Sequence, residues 1–478
     1  MDLVLNKILN KKTVYLLGAF GGLELLSFIA YFYPGLNVGI FGIIILAALV
    51  LTIYRLEYGL LLLIAELIIS SKGYLFAAGG LSLRLILFLI IFLLGVYKLL
   101  KNKADFAKLK FFRVGYLFGL VFLFLLLGVI QGYLRYGLSS NWFHDFNAWL
   151  FFALLPLLVI IYYKNVDQAV YNRLILVSSA AVIWLSLKTL FFFFIFAHDF
   201  SWSLTLYKWI RFSGVGEITN IGFNWPRVFL QSQIYAPLAF IFLLFWSPAA
   251  GRRAKFIYYS LLSLFLMTTL ISFSRSFWVG LLAAYILAAI LIIRRSSIRR
   301  WLKTIPGLLI SALASLVLIY CLAFFPFPKS LVSFSADIFQ RRANFLSADA
   351  AVASRWSQLV PLWQKVLEQP IFGQGYGTTI TYKSSDPRIL QDNPSGEYTT
   401  YAFEWGYLDI WLKIGFLGAL AYLLLLVTVI KRGLADTLVI KLALATGLTF
   451  LLVTNIFTPY LNHPLGISYI MLSSCLIF

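Results

Sequence analysis

Cysteine is nearly absent: only Cys321 and Cys475 occur, both inside apolar runs. That excludes a disulfide framework and a cysteine-built metal cluster. Histidine is scarce as well. His144, His198 and His463 stand far apart, so no zinc-binding spacing exists. Charge is sparse, with 12% of residues charged against 62% hydrophobic and 18% aromatic. A soluble chain needs far more polar surface than this. No internal repeat, heptad or low-complexity tract is evident, so solenoids, coiled coils and disordered tails are excluded too.

What the sequence has instead is apolar runs of about 20 residues from end to end, the length of a membrane-spanning helix. Fourteen candidate spans lie near 13–32, 36–54, 57–71, 83–99, 113–133, 146–163, 173–197, 229–246, 256–272, 276–293, 305–325, 403–430, 437–456 and 464–478. The expected fold is an all-α integral membrane protein. The first run, behind Lys7, Lys11 and Lys12, is too long for a signal-peptide core and reads as a retained first span. The net charge of +21 could suggest nucleic acid, but the distribution argues against it. More than half of the 39 lysines and arginines fall in alternate short loops, the positive-inside pattern, which puts both termini in the cytoplasm.

On the opposite, outer side three longer loops are expected, near 134–145, 198–228 and 326–402. Within the last, Trp356, Leu359, Val360, Trp363, Val366 and Leu367 recur roughly on one helical face. An amphipathic helix lying at the membrane surface is expected there. Pro370 and the glycines of "GQGYG" end it. That glycine-rich stretch follows a helix rather than a strand, so a nucleotide-phosphate loop is not expected.

Several arginines run against the positive-inside bias: Arg211, Arg227, Arg275, Arg341, Arg342 and Arg355. Each is either a headgroup-pairing side chain or a guanidinium fork for phosphate oxygens. Arg275, in "SFSRSFW", is the sharpest, lying in a very short connection beside Ser272, Ser274 and Ser276. The stretch "YAFEWGYLDIWLKIGFLG", residues 401–418, places Glu404, Asp409 and Lys413 at the start of a span. Asp409 and Lys413 are four apart and can neutralise each other on one helix. Glu404 lies on another face with no such partner, and is either hydrated or catalytic. Lys188 and Glu66, deep in their spans, need internal partners. "HDF" at 144–146 and again at 198–200 reads as chance.

Three segments carry a family resemblance. "ISFSRSFWVGLLAAYILAAILIIRR" (271–295) has a Ser-Arg motif opening a long span. "SRWSQLVPLWQKVLEQPIFGQGYGT" (354–378) has an Arg…Trp helix followed by a Pro-x-x-Gly-x-Gly-x-Gly turn. "FEWGYLDIWLKIGFLG" (403–418) is similar to an H-N-x-Y-L-x-x-L-x-x-x-G-x-x-G segment. A weaker fourth is "RFSGVGEITNIGFNWPRVFLQSQIYAPLAF" (211–240). Together they resemble the O-antigen ligase and O-antigen polymerase superfamily of bacterial membrane glycosyltransferases.

The resemblance implies about 14 spans with a long periplasmic loop, in the bacterial inner membrane. It also implies transfer of a glycan from an undecaprenyl-diphosphate-linked donor to a sugar hydroxyl of a lipid-linked acceptor. A chain-length regulator is a further candidate partner. On this reading Arg275 and Arg355, with Arg211 and Arg227, bind the diphosphate, and Glu404 is the general base. No cofactor or metal is expected, since the Asp-x-Asp pair of metal-dependent glycosyltransferases is missing. Direct attack on the anomeric carbon inverts it. The expected division is residues 1–204 as N-terminal spans, 205–430 as the catalytic region and 431–478 as C-terminal spans. The family's ligases carry a functional histidine where this chain has Glu404, which favours a polymerase, of O-antigen or of a related exopolysaccharide, over a lipid A–core ligase. A lipid-linked glycan transporter or flippase, with Lys188, Glu66 and the Asp409–Lys413 pair as its pathway, is the alternative of another class.

Overall fold

A computed structural model describes residues 10–102, 109, 112–163, 167–221, 225–246, 251–295, 298–326, 350–385 and 387–478. In chain order the helices are α1 (Lys11–Phe32), α2 (Pro34–Tyr54), α3 (Leu56–Ser70), α4 (Leu83–Lys101), α5 (Gly115–Tyr136), α6 (Ser140–Phe146), α7 (Leu155–Tyr162), α8 (Gln168–His198), α9 (Ser203–Phe212), α10 (Tyr235–Leu244) and α11 (Arg252–Ile271). They continue with α12 (Arg275–Arg295), α13 (Ile298–Phe324), α14 (Ala350–Glu368), α15 (Pro387–Asp392), α16 (Gly406–Ala435), α17 (Val439–Thr454) and α18 (Pro464–Ile477). Three antiparallel hairpins complete the fold: β1–β2 (Ala77–Ala78, Leu81–Ser82), β3–β4 (Glu217–Asn220, Pro226–Phe229) and β5–β6 (Ile380–Lys383, Glu397–Thr400).

The helices form because every backbone amide in a bilayer must be satisfied within its own segment. Among the described residues ten helical segments are long and apolar enough to cross a membrane, and three shorter apolar ones accompany them. With α3 they coincide with the fourteen predicted segments. The protein is an all-α, multi-pass membrane protein, as the runs required. Large apolar side chains such as Tyr15, Ile43, Leu134 and Leu309 point outward, where lipid rather than water covers them.

Between the helices, lipid removes the hydrophobic drive to pack, and close approach of small residues replaces it. Gly280, Ala284 and Ala288 form such a stripe on α12, and Gly280 lies directly against Phe450 and Thr454 of α17.

Two elements depart from a simple span. The 15-residue α3 extends about 22 Å at 1.5 Å per residue, short of the roughly 30 Å hydrocarbon core. Its last carbonyls, left without intrahelical donors, are met by buried cations. Lys188 Nζ donates to Ile69 O at 2.6 Å and Arg84 Nη2 to Ser71 O at 2.9 Å. Each cation has its own carboxylate, Glu24 at 2.5 Å from Lys188 and Glu66 at 2.8 Å from Arg84. Lys188 and Glu66 thus have the internal partners that their depth demands.

The second is α16, which breaks at Gly415 (φ 73°, ψ 173°), a left-handed backbone that glycine alone adopts at no steric cost. The residues around "GQGYG" dock into the gap. Gln374 N–H donates to Leu412 O (2.6 Å) and Gly375 N–H to Lys413 O (3.2 Å). In return Phe416 N–H donates to Pro370 O (2.8 Å) and Leu417 N–H to Ile371 O (3.3 Å). Gly373 approaches so closely that a β-carbon on it would strike the α16 backbone. These glycines serve packing, and the amides of Gly373 and Gly375 are consumed by the carbonyls of Gln369 and Lys413.

Helix α14 forms as expected, but its faces divide differently. Trp356, Val360, Trp363 and Leu367 form the exposed row. Val366, expected with them, is buried with Leu362 against Ile380, Phe403 and Leu412.

Candidate active site

The loops at the hairpin end of the bundle converge on residues 455–463, between α17 and α18. This segment is closed on itself by Leu461 N–H donating to Asn455 Oδ1 (2.9 Å). It is pinned to the rest by Tyr460 Oη donating to Gln231 O (2.9 Å).

On one flank lies the α11–α12 turn. Phe273 takes a positive φ of 47°, so the chain reverses within residues 272–274. Ser274 and Ser276 share a hydroxyl contact at 2.9 Å, and Ser276 meets Thr458 Oγ1 at 2.9 Å. Arg275 therefore stands at the first position of α12, half-buried, where the helix dipole adds positive potential to its own charge. Arg227 of β4 reaches this turn from the neighbouring hairpin. Its Nε donates to Ser272 O at 2.9 Å, and its guanidinium lies 4.9 Å from the Phe229 ring centre.

The other flank carries Glu404 and Arg355, which form an ion pair with each other. Residues 403–405 are held against α14: Glu404 N–H donates to Gln358 Oε1 (3.1 Å) and Trp405 Nε1 to Arg355 O (3.0 Å). The Trp405 ring also packs edge-on to Trp356 at 5.4 Å and lies 6.4 Å from Phe457. Gly406 fits directly under Asn455. Both flanks therefore touch the 455–463 segment.

The sequence-selected residues thus fall into two groups and one outlier. Glu404 and Arg355 are together, as are Arg227 and the Arg275 turn. Arg211 stands apart in an exposed ion pair with Glu217 at 2.7 Å, the kind that contributes about 0–1 kcal/mol. Arg341 and Arg342 lie outside the described residues.

The expected Asp409–Lys413 pair forms, with charged atoms 3.8 Å apart, but it is not self-contained. Lys413 Nζ bonds more closely to Asp145 of α6 and also to Tyr401 O (2.9 Å). Asp409 takes a further hydrogen bond from Asn462. Asp145 also accepts the Gly377 amide at 2.7 Å. One buried carboxylate thereby ties α6, α16 and the glycine-rich turn. In a low-dielectric interior the nearest opposite charge decides, and helical spacing cannot reveal a partner from a distant element. Asn462, Asn455 and Thr458 were likewise missed; their signal was a run of polar residues, "TPYLNH", between two apolar helices.

We expect Asp145→Asn to lower stability by about 3 kcal/mol, because it leaves the buried Lys413 ammonium only the longer contact to Asp409. Asp409→Asn should cost less, since Lys413 keeps the closer Asp145 carboxylate. Melting curves of the two purified variants check this, and equal losses would return Lys413 to Asp409.

Residues 259–423 match the family described as O-antigen ligase. The match supports the O-antigen ligase and polymerase superfamily, as the three motifs suggested. No curated protein matches the chain. The ligase-family segment contains Arg275, Arg355 and Glu404; Arg227, Asp145 and residues 455–463 lie outside it. Among the described residues no group of three or more His, Cys, Asp or Glu side chains is arranged to hold a metal ion.

His463, an alternative proton acceptor, is half-buried at the start of α18 and accepts the Leu465 amide at 3.3 Å. Burial, with the positive charges of Arg84 and Lys72, pushes its imidazole down to about 3. A site so averse to protons is a poor general base, which leaves Glu404 the better candidate.

Away from these residues, an apolar cavity of about 250 Å³ opens among α3, α8, α10, α11 and α18. Leu67, Ile183, Leu238 and Met471 line it, and no lining residue carries a charge. It offers hydrocarbon contact and no chemistry.

Proposed function

We propose that the protein is a membrane glycosyltransferase acting on lipid-linked glycans at the outer, periplasmic face of the bacterial inner membrane, with both termini cytoplasmic. The donor is a glycan on undecaprenyl diphosphate and the acceptor is a sugar hydroxyl of a second lipid-linked glycan. The observation that carries this reading is the meeting of Arg355 with Glu404, and of Arg227 with the Arg275 turn, around one short segment.

The chemistry follows from that arrangement. The acceptor hydroxyl loses its proton to the Glu404 carboxylate as its oxygen attacks the anomeric carbon. The bond from that carbon to the diphosphate oxygen breaks, and the configuration inverts. Charge accumulates on the leaving diphosphate, and preorganised guanidinium groups stabilise it as it forms. Arg355 has two anionic claims on it, the carboxylate and the incoming diphosphate. As phosphate oxygens draw the guanidinium away, the Glu404 carboxylate is released to meet the acceptor hydroxyl, so donor arrival frees the base.

Glu404 in the position of the ligases' histidine favours polymerisation over attachment to a lipid A–core acceptor. The transport reading finds less support. Its proposed pathway residues Lys188, Glu66 and Lys413 all bond to fixed partners, and the first of these caps a helix end.

The glycans that accumulate in a deletion strain test the assignment. Single capped repeat units mean a polymerase. Long polymer left on the carrier lipid means a ligase, and undecorated precursors on the inner face mean a flippase and overturn the enzyme reading. Because arginines supply the charge match, transfer should also persist in excess chelator. Loss of activity that magnesium or manganese restores would sink that account.

A further inference from the structure

We propose that Lys72 is a further diphosphate-binding residue of this site, delivered by the N-terminal half of the chain and positioned by the capped end of α3. The proposal rests on the reading of the site given above.

The argument starts from the loop after α3. Ser71 turns the chain with a φ of 62°, and Gly73 follows with 94°. Three elements tie the loop down. Arg84 donates to Ser71 O (2.9 Å), Ser232 N–H to Ser71 Oγ (3.3 Å) and Ser27 Oγ to Leu75 O (2.6 Å). Gly73 lies flat on the Arg84 side chain, so that a β-carbon there would be 2.8 Å from Arg84 Cβ. Residue 72 is thus held on both sides by buried neighbours, with its own side chain exposed.

The direction it faces follows from its contacts. The Lys72 stem lies against Gly214, the residue that leads into the hairpin of Arg227; a β-carbon on Gly214 would be 3.0 Å from Lys72 Cβ. Ser232, bonded to Ser71, adjoins Gln231, whose carbonyl accepts the Tyr460 hydroxyl of the 455–463 segment. The Lys72 charge reaches His463 at the end of that same segment. The buried or half-buried cations Arg84, Lys188 and Arg173 of the N-terminal half each have a carboxylate partner. Among the described residues Lys72 has none.

An ammonium here does what the arginines cannot. Arg227 is braced on a backbone carbonyl and Arg355 on Glu404, whereas Lys72 is a point charge on a flexible stem, free to follow a departing diphosphate.

The test uses the full chain in phosphatidylcholine nanodiscs, with undecaprenyl diphosphate as the titrated probe. Lys72→Ala should weaken binding roughly tenfold, the scale of one charge-assisted phosphate contact. Lys72→Arg should recover most of it. Lys383→Ala, an exposed lysine on β5, should bind like wild type, and all melting temperatures should agree. If Arg275→Ala binds weakly while Lys72→Ala binds normally, the Lys72 proposal falls and the site reading stands. If wild type does not bind the probe, or Arg275→Ala binds it unchanged, the site reading itself falls. If Lys72→Ala alters retention of phosphatidylglycerol but not of undecaprenyl diphosphate, Lys72 is a headgroup anchor and the proposal is overturned.

Discussion

Arg275→Ala is expected to reduce transfer by a hundredfold or more while the protein still inserts and elutes as one species. The residue stands at the first position of α12, half-buried, in a turn fixed by Ser274, Ser276 and Thr458. Those hydroxyl bonds do not involve its side chain, so the turn should survive truncation. On the proposed reading what is lost is a donor to the charge that develops on the leaving group, and removal of one such preorganised donor costs about 10²–10³ in rate. Arg275→Lys should restore activity only in part, because an ammonium cannot hold two phosphate oxygens at once. Arg227→Ala should be milder. Arg227 braces the Ser272 carbonyl, so its loss loosens the turn that presents Arg275. Initial rates on purified variants decide the matter, and full activity in Arg275→Ala would make this residue a headgroup partner.

Glu404→Gln is expected to slow turnover by roughly a hundredfold or more, the usual scale for a general base. The ion pair with Arg355 adds a second, opposite effect. Glutamine releases the guanidinium from a carboxylate, so donor binding should hold steady or tighten. Slow turnover with undiminished affinity is a signature that a merely structural salt bridge does not produce, since breaking such a bridge loosens the site and weakens both. Glu404→His should recover some turnover. Wild-type rates in Glu404→Gln would falsify the assignment and send the search to Glu397, exposed on β6, or to Asp386, which lies outside the described residues.

How far the sequence could be read depended on the range of the physics. Span positions follow from local apolar length, since the bilayer imposes one requirement on every residue it touches. All fourteen runs are helical for that reason. Motifs that travel together placed Glu404 and Arg355 in one site, although their ion pair across 49 residues was not read from the sequence. Pairs that no motif links stayed hidden: Lys413 with Asp145, Lys188 with Glu24, Arg84 with Glu66. A lone charge in an apolar run announces that a partner exists without saying which. The break at Gly415 was silent too. Glycine is frequent in membrane helices, and nothing in "KIGFLG" says that another stretch of backbone occupies the space beside it. The surface row on α14 misled in a smaller way: Val366 has the polarity of its exposed neighbours and faces the other side.

The seam at Gly415 has a consequence for how this chain tolerates change in length. Four backbone bonds join residues 370–375 to residues 412–417, each pairing one numbered position with another. Between those two stretches lies the β5–β6 hairpin, whose tip touches none of these bonds. Residues added at the tip leave every pair in step. A single residue added between Pro370 and Gly375 shifts part of the set by one, as a frameshift does to a reading frame, and leaves carbonyls of Leu412 and Lys413 or amides of Phe416 and Leu417 facing the wrong neighbours. Variation in length can therefore accumulate at the hairpin tip, while the stretch from Pro370 to Gly375 must keep its length.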